Sequence, residues 1–194
     1  MDERELTNKF CSIFEETLPI LNAIYKGFVS HKINVLRESR LKFREVLKKQ
    51  LPFSQKLIED KDKDEIEKKY VNLVPHLQRV ALAIDNLVDK MEIKVETRLL
   101  FSQKALDEIK QLMVAVGVEF TDVKDYCMTK NPILKEQIKV DMENIRKLID
   151  DFEIIHQNRL ITGVCMPQAS YLYIDMTDSL KRIAKELAVF ADKA

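Results

Sequence analysis

An all-α fold of six long helices, arranged as two tandem three-helix bundles, is predicted by three observations. Only 3 Gly and 5 Pro occur in 194 residues, which leaves few places for tight turns. Hydrophobic residues make up 46% of the chain and charged residues 33%, and the apolar positions recur at three- and four-residue spacing over long stretches. The third observation is an internal duplication. Tyr70, Leu77, Arg79, Ala81, Asp89 and Lys90 recur 103 residues later as Tyr173, Leu180, Arg182, Ala184, Asp192 and Lys193. The chain therefore reads as two copies of one unit, with repeat halves 1–97 and 98–194 of a single helical domain.

The first helix is expected over Glu3 to Phe28, because Leu6, Phe10, Ile13, Leu21, Ile24 and Phe28 share a face, with a bend at Pro19. Ser30 reads as the N-cap of a second helix through Val35, Leu36, Leu41, Val46 and Leu57. Asp62 and Glu65 give a capping-box-like start to a third, whose stripe runs Ile66, Tyr70, Leu73, Leu77, Val80, Ile84, Leu87, Met91, with a kink at Pro75. Glu92 to Leu100 carries that helix on to the junction between the halves.

Ser102 caps the fourth helix, which carries Ile109, Leu112, Val116, Phe120, Val123 and Cys127. Asn131 followed by Pro132 opens the fifth, with Leu134, Ile138, Met142, Ile145, Ile149, Phe152 and Ile155, ending near Thr162 and Gly163. Pro167 opens the sixth, with the duplicated stripe Ala169, Tyr173, Met176, Leu180, Ile183, Leu187 and Phe190. Val35-Leu36-Arg37-Glu38 matches Ile133-Leu134-Lys135-Glu136 at an offset of 98, which places a five-residue length difference in the turn before the third helix of each half.

Lys plus Arg and Asp plus Glu balance at 32 each, so no global field attracts nucleic acid. The acidic N-terminus is unlike a secretory signal and no apolar run is long enough to span a bilayer, so the expectation is a cytoplasmic protein without direct membrane insertion. The Met1 start is compatible with an independent chain. Cys11, Cys127 and Cys165, far apart in sequence, read as buried, inert thiols.

No phosphate-cradling glycine loop, GxSxG, HExxH or CxxC pattern occurs. Glu153 and His156 lie one helical turn apart, as in carboxylate-bridged two-metal bundles, but a second Glu-x-x-His is missing and His156 continues a core stripe. A core histidine is the better reading. Asp85 and Asp89 also lie one turn apart, with Glu92 and Glu96 on nearly the same face, and form the best metal-binding candidate beside the simpler reading of a solvated acidic face. Arg79 and Arg182 recur together, as partners of acids within the bundle or as contacts for an anion or another protein.

Leu77-Gln78-Arg79-Val80-Ala81 and Leu180-Lys181-Arg182-Ile183-Ala184 resemble the duplicated segment of PhoU-like phosphate transport regulators, and Lys94 to Leu112 resembles the opening of the second repeat in such domains, including those appended to sodium/phosphate cotransporters. The resemblance implies a six-helix fold with an acidic metal-binding motif on the third helix of each bundle. Its acidic positions are Gln78 and Leu82 in the first copy and Lys181 and Lys185 in the second. Protonated lysine cannot ligate a cation. Shifted by a heptad, Asp85 and Asp89 would serve as one residual site for iron or another divalent metal.

The function implied is non-enzymatic regulation of phosphate transport or phosphate signalling by docking on a membrane phosphate transporter or its sensor kinase. A homodimer is compatible with such a bundle. A structural or self-associating helical protein and a di-metal carboxylate enzyme are the alternatives.

Overall fold

The computed structural model describes residues 3–59 and 65–194, and all regular structure among them is helical. The helices are α1 (Glu3–Val29), α2 (Ile33–Glu59), α3 (Glu65–Val71), α4 (Val74–Glu96), α5 (Gln103–Thr129), α6 (Pro132–Ile161) and α7 (Pro167–Lys193). Six are long. Asp62, half of the expected capping box, lies outside the described residues.

The third predicted helix is two helices, and Pro75 is the reason. Proline lacks an N–H and its ring clashes with the carbonyl four residues back, so the helix stops at Val71. Leu73 N–H turns back to the Tyr70 carbonyl (3.0 Å), and Pro75 then sits in the first turn of α4, where no intrahelical donor is needed. In α7 the position 103 residues later is Asp178, and the helix runs through it unbroken.

Ser30 also differs from expectation. Its hydroxyl donates to the Lys26 carbonyl (2.6 Å), closing α1 rather than opening α2. His31 takes the left-handed conformation (φ 55°) and Lys32 N–H reaches the Gly27 carbonyl (2.9 Å), so the reversal needs no side-chain cap on α2. A methyl at Gly27 would stand 3.1 Å from Val35 Cγ1, which is how closely α2 approaches α1 there.

The other boundaries follow local chemistry. Ser102 Oγ accepts from Ala105 N–H (3.2 Å), Asn131 Oδ1 accepts from Ile133 N–H (3.0 Å) ahead of Pro132, Gly163 ends α6 at φ 72°, and Pro167 starts α7. Asn131→Ala is expected to lower unfolding free energy by about 1 kcal/mol in urea denaturation, the usual loss for an N-cap.

Helix α2 packs against α1 and α4, and α6 against α5 and α7; α1 also packs on α5, and α4 most extensively on α7. One core results. Phe14 meets Phe120 of α5 at 5.9 Å and Phe190 of α7 at 5.3 Å, both edge to face, while Phe10 stacks on Tyr70 at 5.4 Å. These rings belong to both halves, and such pairs stabilise beyond the area they bury. The stripes of α5 and α7 are buried as expected. In α2, Leu41 is 60% exposed and Phe43 (2% exposed) takes the inward place.

Candidate docking groove between α4 and α7

Leu77 to Lys90 lie on α4 and the residues matched to them 103 positions later lie on α7, and the two helices pack side by side. Their apolar faces turn inward, and between their outer shoulders runs an open groove of about 930 Å³. Five cations line it, Arg79, Lys90, Lys181, Arg182 and Lys185, against three acids, Asp175, Asp178 and Glu186. In a chain with no net charge, that excess is local.

Three of the cations have partners. Lys90 Nζ lies 3.5 Å from Asp175 and Lys181 Nζ donates to Asp150 of α6 at 2.8 Å. Arg79 Nη1 lies 3.4 Å from Glu186, which also accepts from His76 Nδ1 at 2.6 Å. Lys193 Nζ is 2.9 Å from His76 Nε2 and can only donate, so the ring proton belongs on Nδ1. Thus Arg79 pairs within the bundle.

Arg182, the residue matched to it 103 positions later, does not. Glu186, the acid beside Arg79, corresponds at the 103-residue offset to Ala83, which carries no acid. Arg182 and Lys185 are exposed in the groove and make no hydrogen bond or ion pair among the described residues. Both residues are marked by the sequence, Arg182 as the match of Arg79 and Lys185 as one of the lysines standing where the resembling family carries acids.

Asp85 and Asp89 lie on the other side of α4, against α2. Arg40 clasps Asp85 through Nε and Nη2 at 2.9 Å each, its Nη1 lies 3.4 Å from Asp89 and 3.5 Å from Glu92, and Arg44 adds contacts of 3.1 and 3.2 Å to Asp85. Arg37 pairs with Glu96. The acidic row of α4 is therefore zipped to a basic row, Arg37, Arg40 and Arg44, on α2. Hydrogen bonding to Arg40 holds the Asp85 carboxyl below its usual range. This stabilisation is present above about pH 4 and lost as pH falls through the lowered value.

These residues do not fit the divalent cation that the resemblance implies. The two carboxylates already face guanidinium charge, and a cation would have to displace Arg40. No group of three or more His, Cys, Asp or Glu side chains is placed to hold a metal among the described residues.

His156 is buried (4% exposed), stacked on Tyr173 with ring centroids 4.4 Å apart, and bonded through Nε2 to Ser170 Oγ at 2.7 Å. A serine so close to an imidazole has the distance of a nucleophile and its base. The environment has the wrong sign: Arg159 Nη2 approaches His156 Nδ1 at 3.4 Å, where a triad needs an acid, and burial pushes the imidazole pKa down. Arg159 in turn forks onto Glu108 with two bonds of 2.7 Å, and Tyr173 hydroxyl donates to the same carboxylate at 2.7 Å. The cluster is a polar clamp among α5, α6 and α7, and His156 is the core histidine its stripe implied.

Two buried groups were not read from the sequence. Glu119 is fully buried with both carboxylate oxygens unpartnered, and desolvation, with Asp141 and Asp122 nearby, pushes its pKa up to about 9. Lys94 (1% exposed) lies over the rings of Phe28 and Phe101 and donates to His31 Nε2 at 3.0 Å, and burial lowers its pKa. Glu119 sits three residues after Val116 on a core stripe, which was the signal available.

Comparison with known proteins adds no relative: no family model, curated protein or solved structure matches the chain. No helix among the described residues is long and apolar enough to cross a membrane.

Proposed function

We propose that this chain is a non-enzymatic, PhoU-like regulator of phosphate transport or phosphate signalling, acting at the cytoplasmic face by docking its α4/α7 groove on a membrane transporter or its sensor kinase. One observation carries the reading: Arg182 and Lys185 stand exposed and unpartnered in the groove lined by both duplicated segments. An exposed cation costs nothing while solvated, and it gains charge-assisted hydrogen bonds when a partner brings a carboxylate or phosphate. The groove lies between two packed helices, so it is formed before the partner arrives and little ordering opposes binding.

The resemblance supplies the phosphate connection. At the positions where that family carries acids, this chain carries Lys181 and Lys185 in the second copy, which inverts the charge of the surface. The partner's contacting segment is therefore acidic, and binding weakens as salt rises.

The test is capture from native membranes, at low and high phosphate, with the wild-type chain and with Arg182→Glu/Lys185→Glu. Recovery of a phosphate transporter or its sensor kinase by the wild type, reduced at least tenfold by the double variant, is the expected result. Recovery of no transport or signalling protein under either condition would contradict the reading.

A further inference from the structure

Three loops meet at one end of the bundle, residues 30–32, 97–102 and 162–166. Phe28, just before the first, and Phe101 of the second have ring centroids 6.2 Å apart, and Lys94 Nζ, near the end of α4, lies 3.0 Å from His31 Nε2. Leu100 and Phe101 share a pocket of about 280 Å³ with Val164, Cys165 and Met166, which brings in the third loop.

This end is apolar and basic at once. Leu100, Val164 and Met166, with Ile161 at the end of α6, are between 51% and 82% exposed. Single exposed apolar residues are ordinary, but these four gather on adjoining segments. The three loops also carry the cations Lys32 and Arg98 and no Asp or Glu. Both cations are exposed, and their side chains make no hydrogen bond or ion pair among the described residues.

We propose that this end of the bundle rests on an anionic lipid surface, with the apolar loop tips seated among the headgroups and Lys32 and Arg98 held against lipid phosphates. A bilayer surface asks for no fitted groove. It takes protruding apolar side chains below the headgroups, while its negative potential attracts exposed Lys and Arg at headgroup level. The contact is peripheral, since no helix among the described residues is long and apolar enough to cross a membrane. With that end seated, the helix axes stand away from the membrane and the α4/α7 groove faces along it. The lipid contact does not depend on what the groove binds.

The test is sedimentation of the folded full chain with vesicles of mixed phosphatidylcholine and phosphatidylserine, against vesicles of phosphatidylcholine alone. Binding to the mixed vesicles, weakened by added salt, is the expected result. Lys32→Glu/Arg98→Glu should weaken it by roughly tenfold or more, because each reversal replaces attraction with repulsion. Leu100→Ser/Val164→Ser should weaken it by roughly tenfold through lost apolar contact. All four residues are exposed, so these variants keep the fold. The chain has no Trp, so Leu100→Trp adds a single reporter whose emission should shift to the blue on the mixed vesicles. Ile133→Trp, at the opposite end of α6 and about 40 Å from Ile161, should not shift. Arg182→Glu/Lys185→Glu should bind vesicles as the wild type does. The proposal is overturned if the mixed vesicles bind no better than the neutral ones, or if reversing Lys32 and Arg98 leaves binding unchanged. It is equally overturned if the blue shift comes from position 133 and not 100, or if the groove variant alone loses binding.

Discussion

Glu119→Met raises the unfolding free energy by about 3 kcal/mol at pH 7, and by more at pH 8.5. The Glu119 carboxyl is fully buried, has no hydrogen-bond partner for either oxygen, and titrates near 9 against an ordinary 4.5. The sign follows from proton counting. Between those two values the folded protein keeps a proton that the unfolded chain releases, so stability falls as pH rises, by about 1.4 kcal/mol per unit from this group alone. Below pH 4.5 both states hold the proton and the effect vanishes. Methionine has similar length, favours helices and leaves no polar atom to satisfy. Urea denaturation of both proteins from pH 5 to 9 provides the check: their difference should widen steadily with pH. Parallel curves would mean that Glu119 is ionised and solvated in the folded state.

Arg159→Ala acts oppositely and about as strongly, costing about 3 to 5 kcal/mol. Glu108 is 2% exposed, and its two principal contacts are the fork of Arg159. Removing the guanidinium leaves a buried carboxylate with the Tyr173 hydroxyl alone. The loss reflects the stranded charge more than the worth of the pair, so Glu108→Leu/Arg159→Leu should recover much of it. Arg159→Lys should recover less, because an ammonium cannot make the two parallel bonds. Denaturation of the single and double variants tests this; additive losses would show that the two groups do not depend on one another.

The sequence made legible whatever is local to a few residues. Ser102, Asn131 with Pro132, Gly163 and Pro167 each act within a single turn, and each stands at the boundary expected of it. The long stripes of α5 and α7 give the core because helical spacing alone decides which side chains share a face. Ser30 and Pro75 misled for the same reason: each offers two local outcomes, and the tertiary path selects between them. Ser30 back-bonds to α1 because the left-handed turn at His31 already aims α2 onto its neighbour.

The rest is contact between distant segments. Arg37, Arg40 and Arg44 carry the same periodicity as Asp85, Asp89, Glu92 and Glu96, but only packing of α2 on α4 makes one row the counter-charge of the other. Arg182 was visible in sequence as the match of Arg79, while its lack of a partner required knowing that the α7 acid Glu186 serves Arg79.

The groove is tested most directly by a photocrosslinking amino acid at position 86, on its exposed α4 wall, compared with one at position 136 on α6. Glu136, with a side chain 73% exposed, lies outside that groove. Irradiated in cells, the chain labelled at 86 should form an adduct with a membrane transport or sensor protein, and the chain labelled at 136 should not. An adduct from 136 with none from 86 would contradict the account.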